Sequence, residues 1–333
     1  MPIDLRNLKW NVKAVLKDLL TSPSWADRPQ HLYFEITAAC DSRCIHCPRH
    51  DMDRPMRIMD VGLFRKLIDE ADALGVPEIC PNGYGEICTI PVDVLRDYFG
   101  YIASRARRFK VLINTNAHRL DEQRAALFID HEVKLVNVTI EGATARTFEA
   151  IRLGLSLPRI EENIERLLRM RKARKRAYPK VRVGILAMPQ TMDEIAPFLE
   201  RWQGVADFVG VGGFSSRLGA RWGVVRDPEV AAIGKPDAPP PGPEPAHGPS
   251  ACVLPFRDLN IWSDGKAVVC CEDWNEELVV GDLNTQSLQE VWNSSALNDV
   301  RRKHLAGLGH EVDLCSRCNN WSAPSKGARL WHS

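Results

Sequence analysis

Between His31 and Val211 the apolar residues change rhythm repeatedly. Short runs rich in β-branched and apolar residues predict strands over His31–Thr37, Pro77–Cys80, Lys110–Asn114, Lys134–Glu141, Val181–Met188 and Ala206–Val211. Between them, apolar positions at helical spacing predict helices over Val61–Leu74, Val92–Arg108, Asp121–Ile129, Ile160–Lys175 and Met192–Trp202. Strand-then-helix steps with short connections imply a parallel sheet with right-handed crossovers, either doubly wound or a barrel. Six such units are fewer than the eight of a closed (β/α)8 barrel, so a partial, open (β/α)6 TIM-like barrel of the α/β class is expected.

The ends of the chain read differently. Leu5, Leu8, Val12, Val15, Leu16 and Leu19 fall at helical spacing, and Ser22, Pro23, Ser24 and Pro29 mark a loop, so residues 1–30 are an N-terminal helix and loop. Asp4, Arg6, Lys9, Lys13, Lys17 and Asp18 interrupt any continuous apolar core there, so a secretory signal is not expected. The run KPDAPPPGPEPAHGP breaks the alternation and predicts a stiff linker over 235–250, which closes the barrel region 31–234. Residues 251–333 are rich in Cys and Trp and predict a small α+β domain of short elements.

Charge narrows the partners. Lys plus Arg total 44 and Asp plus Glu total 43 in the 333 residues, a net charge of +1. A nucleic-acid binder usually carries a basic excess, and no apolar run reaches membrane-spanning length. A cytoplasmic protein with neither nucleic acid nor membrane as partner is expected. Ten cysteines in a reducing compartment are not disulfides by default, so their spacing calls for metal, redox or burial.

Cys40, Cys44 and Cys47 form CxxxCxxC in the loop after the first predicted strand. Three thiolates from one loop can hold three corners of a cubane iron–sulfur cluster and leave the fourth iron open. An open metal position binds and activates small molecules, as in catalytic rather than structural metal sites. The alternatives are a zinc site or buried thiols, although structural zinc takes four ligands. Further along, Gly83 and Gly85 of GYGE permit close backbone approach, Glu86 can accept from an ammonium group, and Arg152 can hold a carboxylate bidentately.

Taken in order, these motifs resemble the radical S-adenosylmethionine (SAM) superfamily over roughly His31 to Trp321. CDSRCIHC is similar to its cluster loop, with His46 where the family carries a ring near the adenine. GYGE (Gly83, Tyr84, Gly85, Glu86) resembles the turn that binds the methionine amino group, and the NTN run ending in Asn116 follows the third strand. TIEGATARTFEAIR, from Thr139 to Arg152, resembles the segment with a ribose-binding acid and a carboxylate-binding Arg. Glu141 stands there where Asp is usual. GILAMP places Ala187 where the adenine rests in the family.

Cys252 and Cys270, with Gly265 between them, form C-x12-G-x4-C, and Cys315-Ser-Arg-Cys318 follows a long gap. This region resembles the SPASM/twitch extension of the same superfamily. Its later cysteines are absent here, so the resemblance implies one auxiliary [4Fe–4S] cluster closed by Cys252, Cys270, Cys315 and Cys318. A tetrahedral zinc site is the alternative for these four. Cys271, next to Cys270 on an expected strand, points the other way, towards substrate as a hydrogen-atom donor or into the core. Cys80 is expected in the core, and Cys88 is ambiguous.

The resemblance implies a [4Fe–4S] cluster that binds SAM and yields a 5′-deoxyadenosyl radical, fed by an external one-electron reductant of flavodoxin or ferredoxin type. The leading expectation is dehydrogenation of a polar small molecule (a sugar, aminocyclitol or similar biosynthetic intermediate) with the auxiliary cluster accepting an electron. Epimerisation through Cys271, carbon–carbon bond formation and decarboxylation are the alternatives within the chemistry. A non-catalytic iron–sulfur electron carrier or a zinc scaffold is the alternative of another class, and GYGE with Arg152 speaks against a carrier.

Overall fold

A computed structural model describes residues 26–105, 109–213 and 251–318. The N-terminal helix, most of the loop before Pro29, the Pro-rich 235–250 segment and Trp321 lie outside the described residues. Six parallel strands form as the alternation predicts: β1 (His31–Phe34), β2 (Glu78–Cys80), β3 (Lys110–Thr115), β4 (Leu135–Thr139), β5 (Lys180–Ala187) and β6 (Phe208–Gly213). Connecting them are helices α1 (Val61–Leu74), α2 (Val92–Arg105), α3 (Glu122–Asp130), α4 (Ala145–Ile151), α5 (Leu157–Ala173) and α6 (Ile195–Trp202).

Local chemistry fixes the helix ends. Asp60 caps α1 by accepting from Gly62 N at 2.8 Å and Leu63 N at 3.0 Å, a contact typically worth about 1 kcal/mol. Gly75 ends α1 with φ 68°, a left-handed conformation that glycine adopts without strain. Leu63, Phe64, Leu67, Ile68 and Ala71 form its buried stripe. Helix α5 starts at Leu157, ahead of the expected Ile160, because Pro158 sits in its first turn where a missing N–H costs nothing.

The strands alternate in burial. Val111, Ile113, Val136, Val138, Val181 and Val183 join the apolar core. Asn114, Asn137 and Arg182, aligned across β3, β4 and β5, therefore lie on the opposite face. The first strand is shorter than the expected His31–Thr37. After Phe34 the chain instead pairs with the return from the cysteine loop, through Met59 N to Ile36 O at 2.8 Å and a bridge between Thr37 and Ile58.

The C-terminal part adds β7 (Asp258–Ile261), β8 (Lys266–Val268) and β9 (Val279–Asp282), with the short helix α7 (Leu254–Arg257) ahead of them. Strand β7 pairs parallel with β1, and β7–β8–β9 continue antiparallel. One nine-stranded sheet results, in the order β9-β8-β7-β1-β2-β3-β4-β5-β6. The Cys-rich region is thus grafted onto the edge of the barrel sheet. Helices α8 (Leu288–Trp292), α9 (Ser295–Leu305) and α10 (Asp313–Ser316) follow. Helix α1 holds this part in place: Lys66 donates to Leu283 O and Gln286 O, and Glu70 accepts from Leu288 N at 2.6 Å.

Candidate functional site

The first site lies beyond the carboxyl ends of the parallel strands, where open α/β sheets bind ligands. The Cys40–Cys47 loop follows β1 and is tied down on two sides. Arg43 and Cys44 form a short antiparallel ladder with Leu153 and Arg152. Asp41, between the first two loop cysteines, accepts from Asn116 Nδ2 at 2.8 Å and Arg119 Nε at 3.0 Å, and bonds His118 Nδ1 at 3.2 Å. These bonds hold the Asp41 carboxyl below the usual carboxylate range despite the opposing effect of burial. Asn116 from NTN therefore reaches the cysteine loop through Asp41, a residue without a motif of its own.

Burial, reinforced by the Glu86 charge, pushes the Cys40 thiol up to about 12, and burial with neighbouring Cys44 pushes Cys47 up to about 11. A metal bound there would reverse this by stabilising the thiolates. Two guanidiniums act on these thiols: Arg49 on Cys40 and Cys47, and Arg152, which Cys44 and Cys40 both influence electrostatically. The second belongs to the site's ion pair. Its Nε donates to Glu141 Oε2. Glu141 is fully buried, and its second oxygen has no hydrogen-bond partner among the described residues. Burial raises the Glu141 pKa, but the charges of Arg152 and then His46 outweigh it and hold the carboxyl low. Cys40, Cys44, Cys47, His46, Glu141 and Arg152 thus converge, and an unsatisfied buried acceptor among them fits an unfilled ligand cradle.

The GYGE turn is packed on its Cα side against the protein itself. A Cβ on Gly83 would sit 2.4 Å from Glu35 Oε2, and one on Gly85 would sit 2.0 Å from Thr37 O. The close approach these glycines permit is to the chain after β1. Glu86 is buried and accepts from Thr115 Oγ1 at 2.7 Å, Asn116 N at 2.7 Å and Cys88 N at 3.0 Å. It locks the turn to the end of β3. Thr139 ends β4, and Ala187 ends β5 as a half-buried residue beside the same mouth. Cys80 and Cys88 are both buried, and Cys80 accepts from Asn114 Nδ2 at 3.4 Å.

The second site gathers Cys252, Cys270, Cys315 and Cys318. Cys315 and Cys318 both raise the pKa of Cys252, after burial, and Cys252 and Cys318 do the same for Cys270. Cys318 N donates to Cys315 O at 3.1 Å, forming the turn that brings those two thiols together. Among the described residues no three His, Cys, Asp or Glu side chains come close enough to share one metal ion.

Cys271 departs from expectation in one respect. It lies in a turn after β8, closed by Asp273 N to Cys270 O at 3.2 Å, and not on a strand. Strand alternation therefore does not set its direction. It is nonetheless a charge neighbour of Tyr33, as is Cys80.

A buried ion pair that carries no sequence signature joins the two sites. Arg54 donates to both oxygens of Glu35, and its Nε donates to Trp274 O at 2.8 Å. The guanidinium lies 4.7 Å from the Trp262 ring centroid. Glu35 also accepts from Tyr84 N at 2.9 Å. The one hint in the sequence is the charge of Glu35 between Phe34 and Ile36.

Comparisons with known proteins agree with this geometry. The family model of the radical SAM superfamily matches residues 34–201, and that of the SPASM iron–sulfur cluster-binding domain matches residues 252–319. The chain is 26% identical over 76 residues to the S-adenosyl-L-methionine-dependent 2-deoxy-scyllo-inosamine dehydrogenase of Niallia circulans, covering 23% of this chain and 30% of that protein. It is 23% identical over 172 residues to the mycofactocin maturase MftC of Mycolicibacterium smegmatis (strain ATCC 700084 / mc(2)155), covering 52% of this chain and 41% of that one. The chain thus spans less than half the length of either curated relative. The crystal structure of BtrN in complex with AdoMet and 2-DOIA superposes with a TM-score of 0.56 at 19% identity, over 87% of this chain and 93% of BtrN. Among the described residues no helix is long and apolar enough to cross a membrane.

Proposed function

Since this chain belongs to the radical SAM superfamily, we propose that it dehydrogenates a polar small molecule, a sugar, aminocyclitol or similar biosynthetic intermediate. An enzyme of this family carries a [4Fe–4S] cluster with SAM, and its SPASM domain carries auxiliary iron–sulfur chemistry. It acts on a substrate and needs an electron donor; here a flavodoxin or ferredoxin in the cytoplasm is the partner we assign. When bound, the first cluster and SAM together supply a radical able to remove hydrogen from an unactivated C–H bond.

The chain's own residues hold and orient. In this reading Cys40, Cys44 and Cys47 would hold the first cluster, and Arg152 would offer its remaining N–H groups to a carboxylate. The free oxygen of Glu141 accepts from a ribose hydroxyl, with His46, Thr139 and Ala187 around the nucleoside. Glu86 and Asn116 shape the mouth through Thr115 and Asp41, while Gly83, Tyr84 and Gly85 close the turn. Oxidising an alcohol to a carbonyl removes one hydrogen atom from carbon, one proton from the hydroxyl and one further electron. That electron needs an acceptor, the role we give to one auxiliary cluster held by Cys252, Cys270, Cys315 and Cys318. The observation that carries the reading is the gathering of these four thiols beside the strands added to the edge of the barrel sheet, a set that would close a cluster and leave no iron for substrate. The 2-deoxy-scyllo-inosamine dehydrogenase named above supports the substrate class and the reaction type.

Epimerisation is the second reading, favoured by one observation. Cys271 and Cys80 both act on the Tyr33 phenol, on the sheet face that carries Asn114 and Asn137. A thiol there could return hydrogen to a substrate carbon. Reduced enzyme, SAM and a panel of aminocyclitols including 2-deoxy-scyllo-inosamine, incubated in D2O, separate the readings. Formation of 5′-deoxyadenosine with a product two mass units lighter is the expected result. Deuterium retained at an inverted carbon, abolished by Cys271→Ala, supports epimerisation instead. No 5′-deoxyadenosine with any substrate, with zinc in place of iron, overturns both.

A further inference from the structure

Resting on the reading of Cys252, Cys270, Cys315 and Cys318 as cluster ligands, we infer that His304 is a positioning residue for the auxiliary cluster. It donates an N–H···S hydrogen bond to the Cys315 sulfur and thereby holds that cluster at a higher reduction potential.

The geometry is specific. His304 lies in the last turn of α9 and is 2% exposed. Its Nδ1 accepts from the backbone N–H of Cys252 at 3.3 Å. A ring nitrogen that accepts an N–H carries no hydrogen, so the ring hydrogen sits on Nε2. Nε2 lies 3.4 Å from Cys315 Sγ. One imidazole therefore spans two ligand-bearing segments, steadying the backbone of the first and donating to the sulfur of the second.

The helix that carries His304 is itself held in register. Arg301, one turn earlier and fully buried, donates to Pro255 O and Trp292 O, each at 2.8 Å. Its guanidinium lies 4.0 Å from the Trp292 ring centroid. The i, i+3 pair thus clamps the Cys252–Pro255 segment at both ends, Arg301 on a carbonyl and His304 on an amide. That rigidity keeps Nε2 aimed at sulfur.

The chemical consequence follows from charge. Adding an electron to a cluster increases negative charge on its sulfurs, and a donated hydrogen bond stabilises that state. Burial strengthens the effect, because a hydrogen bond in a low-dielectric surrounding is electrostatically stronger. A cluster made easier to reduce is a better acceptor for the last electron of an alcohol oxidation. The sequence offers no signal for this residue: a lone His in a helix with two other basic residues in its last turn reads as an ordinary helix end.

The test uses the full chain, reconstituted without oxygen, with Cys40, Cys44 and Cys47 replaced by alanine so that only the second site can hold a cluster. Roughly four irons and four sulfides per chain are expected; zinc, or no iron, overturns the ligand assignment and this inference with it. With iron bound, redox titration followed by electron paramagnetic resonance compares His304 with His304→Leu and His304→Gln. A lower potential in the Leu variant, largely restored by Gln, which keeps an N–H donor, is the expected result. Equal potentials in all three, or equal falls in both variants, overturn the inference. Should the Leu variant lose its iron, protein labelled with 15N-histidine decides. A weak 15N coupling on the reduced cluster supports the hydrogen bond, and either no coupling or one of directly bonded size rejects it.

Discussion

The Tyr84 hydroxyl donates a 2.6 Å hydrogen bond to the backbone carbonyl of Cys271. This fastens the GYGE turn of the first site to the loop that carries Cys270. The ring also packs edge-on against Trp262, with centroids 5.6 Å apart, and the Trp262 indole N–H donates to Asp273 O at 3.0 Å. Tyr84→Phe keeps the ring and deletes the bond. Loss of about 1 kcal/mol in urea unfolding is expected, as for a typical intramolecular hydrogen bond. Iron content should not change. A variant with unaltered unfolding would show that the bond contributes nothing to docking.

Arg54 and Glu35 are 4% and 0% exposed at the side chain, so neither can fall back on water. Arg54→Met should destabilise by about 3–5 kcal/mol, because it strands a buried carboxylate. Pairing it with Glu35→Gln, which still accepts from Tyr84 N, should recover more than half of that loss. Thermal unfolding of both variants measures the difference. If the double variant is no more stable than Arg54→Met, stranded charge is not the cause.

Arg152 serves two acceptors in the proposed site, Glu141 and a ligand carboxylate. Lys supplies the charge but not the planar fork. Arg152→Lys should leave iron content intact and weaken SAM binding about tenfold or more, the range of a lost charge-assisted bond. Equilibrium dialysis against labelled SAM measures it. Unchanged affinity would remove Arg152 from the cofactor site.

Much of this was legible in the sequence because it repeats or clusters. Alternating periodicities mark the barrel strands, and cysteine spacing marks both candidate sites. The pairing of β7 with β1 was not legible, since it joins residues more than two hundred positions apart and depends on an edge strand left open. Asp41, Glu35, Arg54 and His304 were not legible either. Each is a single polar residue whose meaning comes from a partner distant in the chain, such as Trp274 O for Arg54. Short motifs report local geometry, and GYGE shows how far that goes. Its glycines were expected to let backbone approach a ligand, and the structure adds that their Cα side is packed against Glu35 and Thr37.

Asp207 should set an acid limit on stability at the far edge of the sheet. It accepts from Arg171, from Val181 N at 2.9 Å and from Lys180 at 3.2 Å, binding α5 and β5 to the start of β6. Burial raises its pKa, but the Arg171 and Val181 bonds outweigh it and bring the carboxyl below the usual carboxylate range. A folded-state pKa below the unfolded one gives stability that is present above the unfolded value and lost as pH falls through the folded value. Asp207→Asn should therefore cost about 1–3 kcal/mol at neutral pH and flatten the stability profile below about pH 4. Urea midpoints across that range test it; parallel profiles for the two proteins would assign the acid limit elsewhere.

Gly85 and Gly100 make opposite predictions from the same one-carbon change. A Cβ at Gly85 would lie 2.0 Å from Thr37 O and 2.8 Å from Ala39 O, both backbone atoms that cannot rotate away. Relief requires moving either the turn or the chain leading to Cys40, and Glu86 N is already bonded to Ala39 O at 2.8 Å. Gly85→Ala should thus destabilise by more than about 2 kcal/mol, beyond an ordinary overpacking cost near the low end of its range. It should also reduce iron held by the first site, because the strain falls on its loop. A Cβ at Gly100, inside α2, meets nothing within 4 Å. Gly100→Ala should stabilise by about 0.5–1 kcal/mol through helix propensity alone, with iron unaffected. Chemical denaturation and iron analysis on the two variants give four readings. If Gly85→Ala behaves like Gly100→Ala, the turn is not wedged against the cysteine loop.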